Sequence, residues 1–143
     1  MPPTDDPVIL EGEGAVAVIR LNRPAVLNAI DARTAEAFLA AVRQIASRPD
    51  LRAIVLKGSG RAFCAGGDVA RFAGERQEVT EAVGSIIGPL HEAMTILADM
   101  PAPSIACLHG AVAGAGLSLA LACDLAIAAA DCAFRATLGS IPD

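Results

Sequence analysis

The chain has 143 residues, 54% of them hydrophobic and 19% charged, with 11 basic against 16 acidic side chains and a formal charge of −5. That length fits a single domain over residues 1–143, and the hydrophobic share excludes a disordered chain. An acidic chain without Trp or Tyr lacks both the basic stripe and the stacking surface on which nucleic-acid binding depends.

Met1 to Pro7 carries Asp5, Asp6 and three prolines, with no basic start and no apolar run, so it does not read as a secretory signal. Cytoplasmic thiols are therefore expected at Cys64, Cys107, Cys123 and Cys132, and their spacing predicts neither disulfides nor a metal site. Val8–Leu10 and Ala15–Leu21 read as a hairpin around the Glu11-Gly12-Glu13-Gly14 turn, stopped by Pro24. Asp31 is placed to cap a helix whose apolar stripe runs Ala35, Phe38, Leu39, Val42, Ile45 and Ala46, with Pro49 closing it. Ala53–Lys57 reads as a buried strand, and Ser59–Asp68 as a glycine-bearing loop. The charged run Arg71–Glu81 predicts a solvated stretch. A second stripe, Val83 to Leu97, predicts a helix that Pro89 either starts afresh or kinks. Ser104–Leu108 reads as a strand, His109–Gly116 as a second small-residue turn, Leu117–Cys123 as a short helix and Leu125–Ala129 as a further strand. Alternating strands and helices with long connections give an α/β class. Ala111–Ala130 is long enough to span a membrane, but Asp124 and Ser118 lie inside it and no basic cluster flanks it. It is therefore expected to be a core segment, with no membrane partner.

Two glycine-rich turns, each between a predicted strand and a predicted helix, are the candidate chemistry. Such a corner exposes backbone N–H groups at the positive end of a helix dipole, where they bind anions or stabilise developing negative charge. The competing reading is that the glycines only permit tight turns. The spacing Gly110, Gly114, Gly116 also matches a dinucleotide loop, but it lies late in the chain, and the chain has no tyrosine for the dehydrogenase chemistry that spacing accompanies.

Three blocks together resemble the enoyl-CoA hydratase/isomerase, or crotonase, family: Val18-Ile19-Arg20-Leu21-Asn22-Arg23-Pro24 with Leu27-Asn28-Ala29; Arg61-Ala62-Phe63-Cys64-Ala65-Gly66-Gly67-Asp68; and Pro103–Gly110 through Ala122-Cys123-Asp124-Leu125. The resemblance implies a ClpP/crotonase-like spiral of ββα units without its C-terminal helical part. It implies an acyl-coenzyme A thioester as substrate, no further cofactor and a homo-oligomer, trimeric or hexameric. By motif position it assigns the two enolate-stabilising amides to Ala65 and Ala115, and it lines the substrate site with Ala65, Gly66, Gly67, Asp68, Gly114, Ala115 and Ser118. Asp68 has an equal claim to cap the next helix. The family's hydratases use two glutamates. Ser118 stands at the first position, and Arg135, Ala136 and Thr137 occupy the stretch of the second. Asp143, in a Pro-Asp ending like that of isomerase-type members, becomes the candidate base. The resulting expectation is double-bond migration rather than hydration, with a non-catalytic acyl-coenzyme A-binding or assembly module as the alternative.

Overall fold

A computed structural model describes residues 5–68 and 75–136. Its main sheet has five strands: β1 (Val8–Glu11), β2 (Val16–Leu21), β3 (Ala53–Gly58), β4 (Ser104–Leu108) and β6 (Leu125–Ala128), adjacent in that order. The hairpin expected at the start is present, with β1 antiparallel to β2, and every later pairing is parallel. Parallel neighbours require crossovers. These are supplied by α1 (Ala32–Ala46), α2 (Arg76–Asp99) and, between β4 and β6, a short strand β5 (Ala111–Ala113) followed by α3 (Ala115–Ala122). A second layer pairs β5 with β7 (Ala133–Arg135), and Cys64 bridges to Val112 on the same layer. Each unit thus gives one strand to the main sheet, one short extended piece to the second layer, and a helix.

Burial follows the strand period of two. Ala17, Ile19 and Leu21 on β2, Ile54 and Leu56 on β3, and Ala106 and Leu108 on β4 are buried. They meet Phe38, Val42 and Ile45 of α1 and Leu90, Ala93 and Leu97 of α2, and the two helices pack on each other. Asp31 caps α1 as expected, accepting from Thr34 N at 2.8 Å and Thr34 Oγ1 at 2.6 Å.

Several elements depart from the sequence reading. Helix α2 starts at Arg76, so part of the charged run is helical; its first turns are exposed, and no apolar stripe marks them. Pro89 lies inside α2 and neither starts nor ends it. The carbonyl that proline leaves without its helical donor belongs to Ser85, an exposed residue. The second turn contains β5, and β7 follows β6. The apolar run from Ala111 is divided among β5, α3 and β6, and no helix of the described residues is long and apolar enough to cross a membrane. Asp124 ties the start of β6 to β4, accepting at Oδ2 from Ser104 N at 2.8 Å and Ser104 Oγ at 3.2 Å. Strand β6 is an edge strand and is exposed along its length. Leu125, Ile127, Phe134 and Leu121 all stand more than half out of the protein surface.

Candidate active site

Both glycine turns emerge from the carboxyl ends of parallel strands, the usual place for a ligand in an open α/β sheet. The turn after β3 is tied from behind by residues 23–31. A 3-10 turn, Pro24–Val26, leads into Leu27 and Asn28, which both take left-handed backbone (φ 54° and 57°). The buried Asn28 amide donates to the carbonyls of Ser59 (2.9 Å), Ala62 (2.9 Å) and Phe63 (3.1 Å). Ile30 N donates to Gly66 O and Asp68 N to Ile30 O, both at 2.8 Å.

The turn after β4 is zipped onto the first. Phe63 N donates to His109 O at 2.8 Å, Cys64 N to Ala111 O at 3.2 Å, and Ala113 N to Cys64 O at 3.1 Å. His109 Nε2 donates to Gly60 O at 2.7 Å. Three glycines let these backbones meet. A β-carbon at Gly110 would lie 2.2 Å from Arg61 O, and one at Gly116 would lie 2.4 Å from Cys64 O. At Gly114 (φ 53°), a β-carbon would lie 3.7 Å from Gly66 Cα, which puts the apices of the two turns side by side.

The amides open to a ligand follow from this bonding. Ala65 N donates to Leu27 O at 2.9 Å, so the amide assigned by motif position is already engaged within the protein. In the parallel bridge Ile30–Gly67, the flanking Gly66 O and Asp68 N face Ile30. Alternation along extended backbone turns Gly67's own N–H to the opposite side. Among the described residues that N–H has no acceptor. In the second turn Gly114 N is used by Arg135 O at 3.1 Å. Ala115 then opens α3, and the first amides of a helix have no intrahelical acceptor. The dipole of α3 adds positive potential there.

The sequence profile of the enoyl-CoA hydratase/isomerase family matches residues 11–143. The chain belongs to the enoyl-CoA hydratase/isomerase family. A relative from Rhodobacter capsulatus, named "Probable enoyl-CoA hydratase", is 41% identical over 90% of this chain and 49% of its own length. The short-chain-enoyl-CoA hydratase of Clostridium acetobutylicum is 33% identical over 89% of this chain and 48% of its own length. A crystal structure of an enoyl-CoA hydratase from Polaromonas sp. JS666 superposes with a TM-score of 0.80 at 35% identity, covering 89% of this chain and 49% of that one. The crotonase fold expected from the motifs is therefore the fold of this chain, and the chain spans about half the length of the curated relatives it matches.

Within this family's site the remaining side chains divide clearly. Asp68 faces Arg23, whose Nη1 lies 3.4 Å from Asp68 Oδ2, donates to Ala29 O at 2.6 Å, and has Asp31 Oδ2 near its Nη2 at 3.6 Å. Among the described residues the cap of α2 is Glu75, so Asp68 braces the first turn rather than capping that helix. Burial pulls the Asp31 carboxyl up, but its Thr34 hydrogen bonds and Arg23 outweigh this and hold it below its ordinary 3.8. Ser118 sits exposed in the first turn of α3, its Oγ 3.4 Å from Gly114 O, with no base beside it to activate it among the described residues. Cys64 is buried and donates Sγ–H to Asn28 O at 3.2 Å; burial pushes its thiol up to about 11, which leaves it no nucleophilic thiolate at neutral pH. No group of three metal-ligating side chains occurs among the described residues. Asp143, the candidate base, lies outside the described residues. Sequence reasoning did not single out the unengaged N–H of Gly67 or the Asn28 amide that ties the loop behind it. Neither has a local signature, because both depend on pairing between residues more than thirty positions apart.

Proposed function

We propose that the chain binds an acyl-coenzyme A thioester and holds its carbonyl oxygen between the N–H groups of Gly67 and Ala115, so that the enolate formed by loss of a neighbouring proton is stabilised. The observation that carries this reading is a pair of amides on adjoining turns with no acceptor among the described residues, one of them at the mouth of a helix. Gly66, Gly114 and Asp68 shape the cleft around them. Fixed donors aimed at developing negative charge need no reorganisation when the charge appears, and removing one such donor typically slows a reaction by roughly 10²–10³.

Of the family's two reactions, the residues favour double-bond migration. Hydration needs a general base and a general acid on either side of a water, and Ser118, Arg135 and Ala136 supply no carboxylate where two are needed. Migration needs one carboxylate, which removes a proton from the carbon on one side of the double bond and returns it on the other. Atoms and electrons balance without a redox group, and Asp143 is the proposed carrier. The exposed Leu121, Leu125, Ile127 and Phe134 favour self-association of the chain.

The test is incubation of the purified chain with 3-enoyl- and 2-enoyl-coenzyme A thioesters. Interconversion of the two, lost in Asp143→Asn, is the expected result. Hydration products would overturn the choice of migration. Binding without turnover of either would favour the non-catalytic module, the reading supported by the missing glutamates.

A further inference from the structure

We infer that Asn28 is the positioning residue of the first oxyanion turn, acting through the backbone of residues 59–67 rather than by touching the substrate. The assignment rests on the reading of Gly67 and Ala115 as the donor pair. Asn28 is buried, takes left-handed backbone, and spends its side-chain amide on three carbonyls of the loop, those of Ser59, Ala62 and Phe63. Its Oδ1 accepts from Arg23 N at 2.7 Å, which fixes the amide's orientation. Its own carbonyl accepts from Cys64 Sγ at 3.2 Å, and the carbonyl before it accepts from Ala65 N at 2.9 Å. One residue thus bonds to the loop on both sides of the point where it turns toward the second layer. The loop leaves room for nothing else. A β-carbon at Gly58 would lie 2.8 Å from Asn28 Nδ2 and 2.5 Å from Phe63 O.

The consequence is geometric. Ala65 N is drawn back to Leu27, Gly66 O and Asp68 N are drawn back to Ile30, and the N–H left facing forward is Gly67's. Asn28 sets the register of this bonding, because it links the left-handed bend at Leu27–Asn28 to the strand end at Ser59. Without its donors, the turn keeps its sequence but loses the anchor that aims Gly67.

Two variants separate aim from fold. Asn28→Asp keeps the shape and the acceptor for Arg23 N and removes the donors. Asn28→Gly keeps the left-handed backbone and removes the side chain. The probe is crotonyl-coenzyme A carrying carbon-13 at the thioester carbonyl, read by isotope-edited infrared spectroscopy at saturation. The expected result is a carbonyl band lowered on binding to the wild type and returned most of the way to its free position in both variants. In turnover assays kcat should fall about 100-fold, the scale of a misplacement near 1 Å, with KM moving less than about threefold. A band equally lowered in wild type and variants overturns the assignment of Asn28 alone. A band unmoved in the wild type with ligand bound overturns the donor pair, and this assignment with it. Loss of a cooperative thermal transition in both variants would make Asn28 a residue of the fold at large and overturn its positioning role.

Discussion

In the turn after β3, an asparagine, an arginine and an aspartate tie the backbone in place through side-chain hydrogen bonds. In the turn after β4, glycines at 110, 114 and 116 let one backbone lie against another with no side chain between. In the proposed reading each turn offers one amide to the ligand. The first does so by adding polar bonds from outside the loop, and the second by removing β-carbons within it. A side-chain brace loosens by degrees when cut, whereas a close backbone approach has no room to adjust.

The largest effects should therefore come from the second turn. Gly116→Ala puts a β-carbon 2.4 Å from Cys64 O, and Gly110→Ala puts one 2.2 Å from Arg61 O in a left-handed position. Each should cost about 3 kcal/mol or more, read from the denaturant midpoint. A loss below about 1 kcal/mol would show that the turns part easily, and the contrast would fail. Gly84→Ala is the counter-test, because a β-carbon there meets nothing within 4 Å on helix α2. It should stabilise by roughly 0.5–1 kcal/mol, as expected of glycine replaced inside an exposed helix.

The brace of the first turn comes next. Arg23→Leu deprives Ala29 O of its donor and leaves Asp68 and Asp31 without their cation. A loss of about 1–2 kcal/mol is expected, since the ion pairs are partly exposed and add little beyond the hydrogen bond. Urea unfolding of Arg23→Leu and of Gly116→Ala in parallel measures the contrast directly, and equal losses would erase it.

The smallest effect is the pH dependence of the brace. Asp31 is held below its ordinary 3.8, so the stability it contributes is present above that value and is lost as the pH falls through its lower, folded value. Asp31→Ala should cost about 1 kcal/mol at pH 7, the usual worth of such a cap. The gap from wild type should close as the medium is acidified below 3.8. A gap that persists unchanged at strongly acid pH would mean that the carboxylate's charge plays no part.

The same contrast explains what the sequence disclosed. Strand β2, α1, β3 and β4 carry buried residues at periods of two or between three and four, and they lie where the pattern put them. Strand β7 does not alternate, because Ala133, Phe134 and Arg135 are all exposed, and β5 is only three residues among glycines. The start of α2 is polar and exposed, so its residues resembled a solvated run. The second turn's proposed donor, Ala115, came from motif position, and α3 begins at that residue, two positions before the helix read from the sequence. The donor proposed for the first turn was not legible. Choosing between Ala65 and Gly67 requires knowing that Leu27 and Ile30 return to the loop, and no short-range pattern records that pairing.

The central claim is that two main-chain amides, one from each turn, meet a single carbonyl oxygen. Nitrogen-15 NMR during titration with 3-oxobutyryl-coenzyme A, a thioester that readily enolises, tests it most directly. The amide protons of Gly67 and Ala115 should move downfield together, along one saturation curve, while that of Ala65 stays near its free position. A downfield shift at Ala65 with Gly67 unmoved, or movement of only one turn at saturation, would contradict the claim.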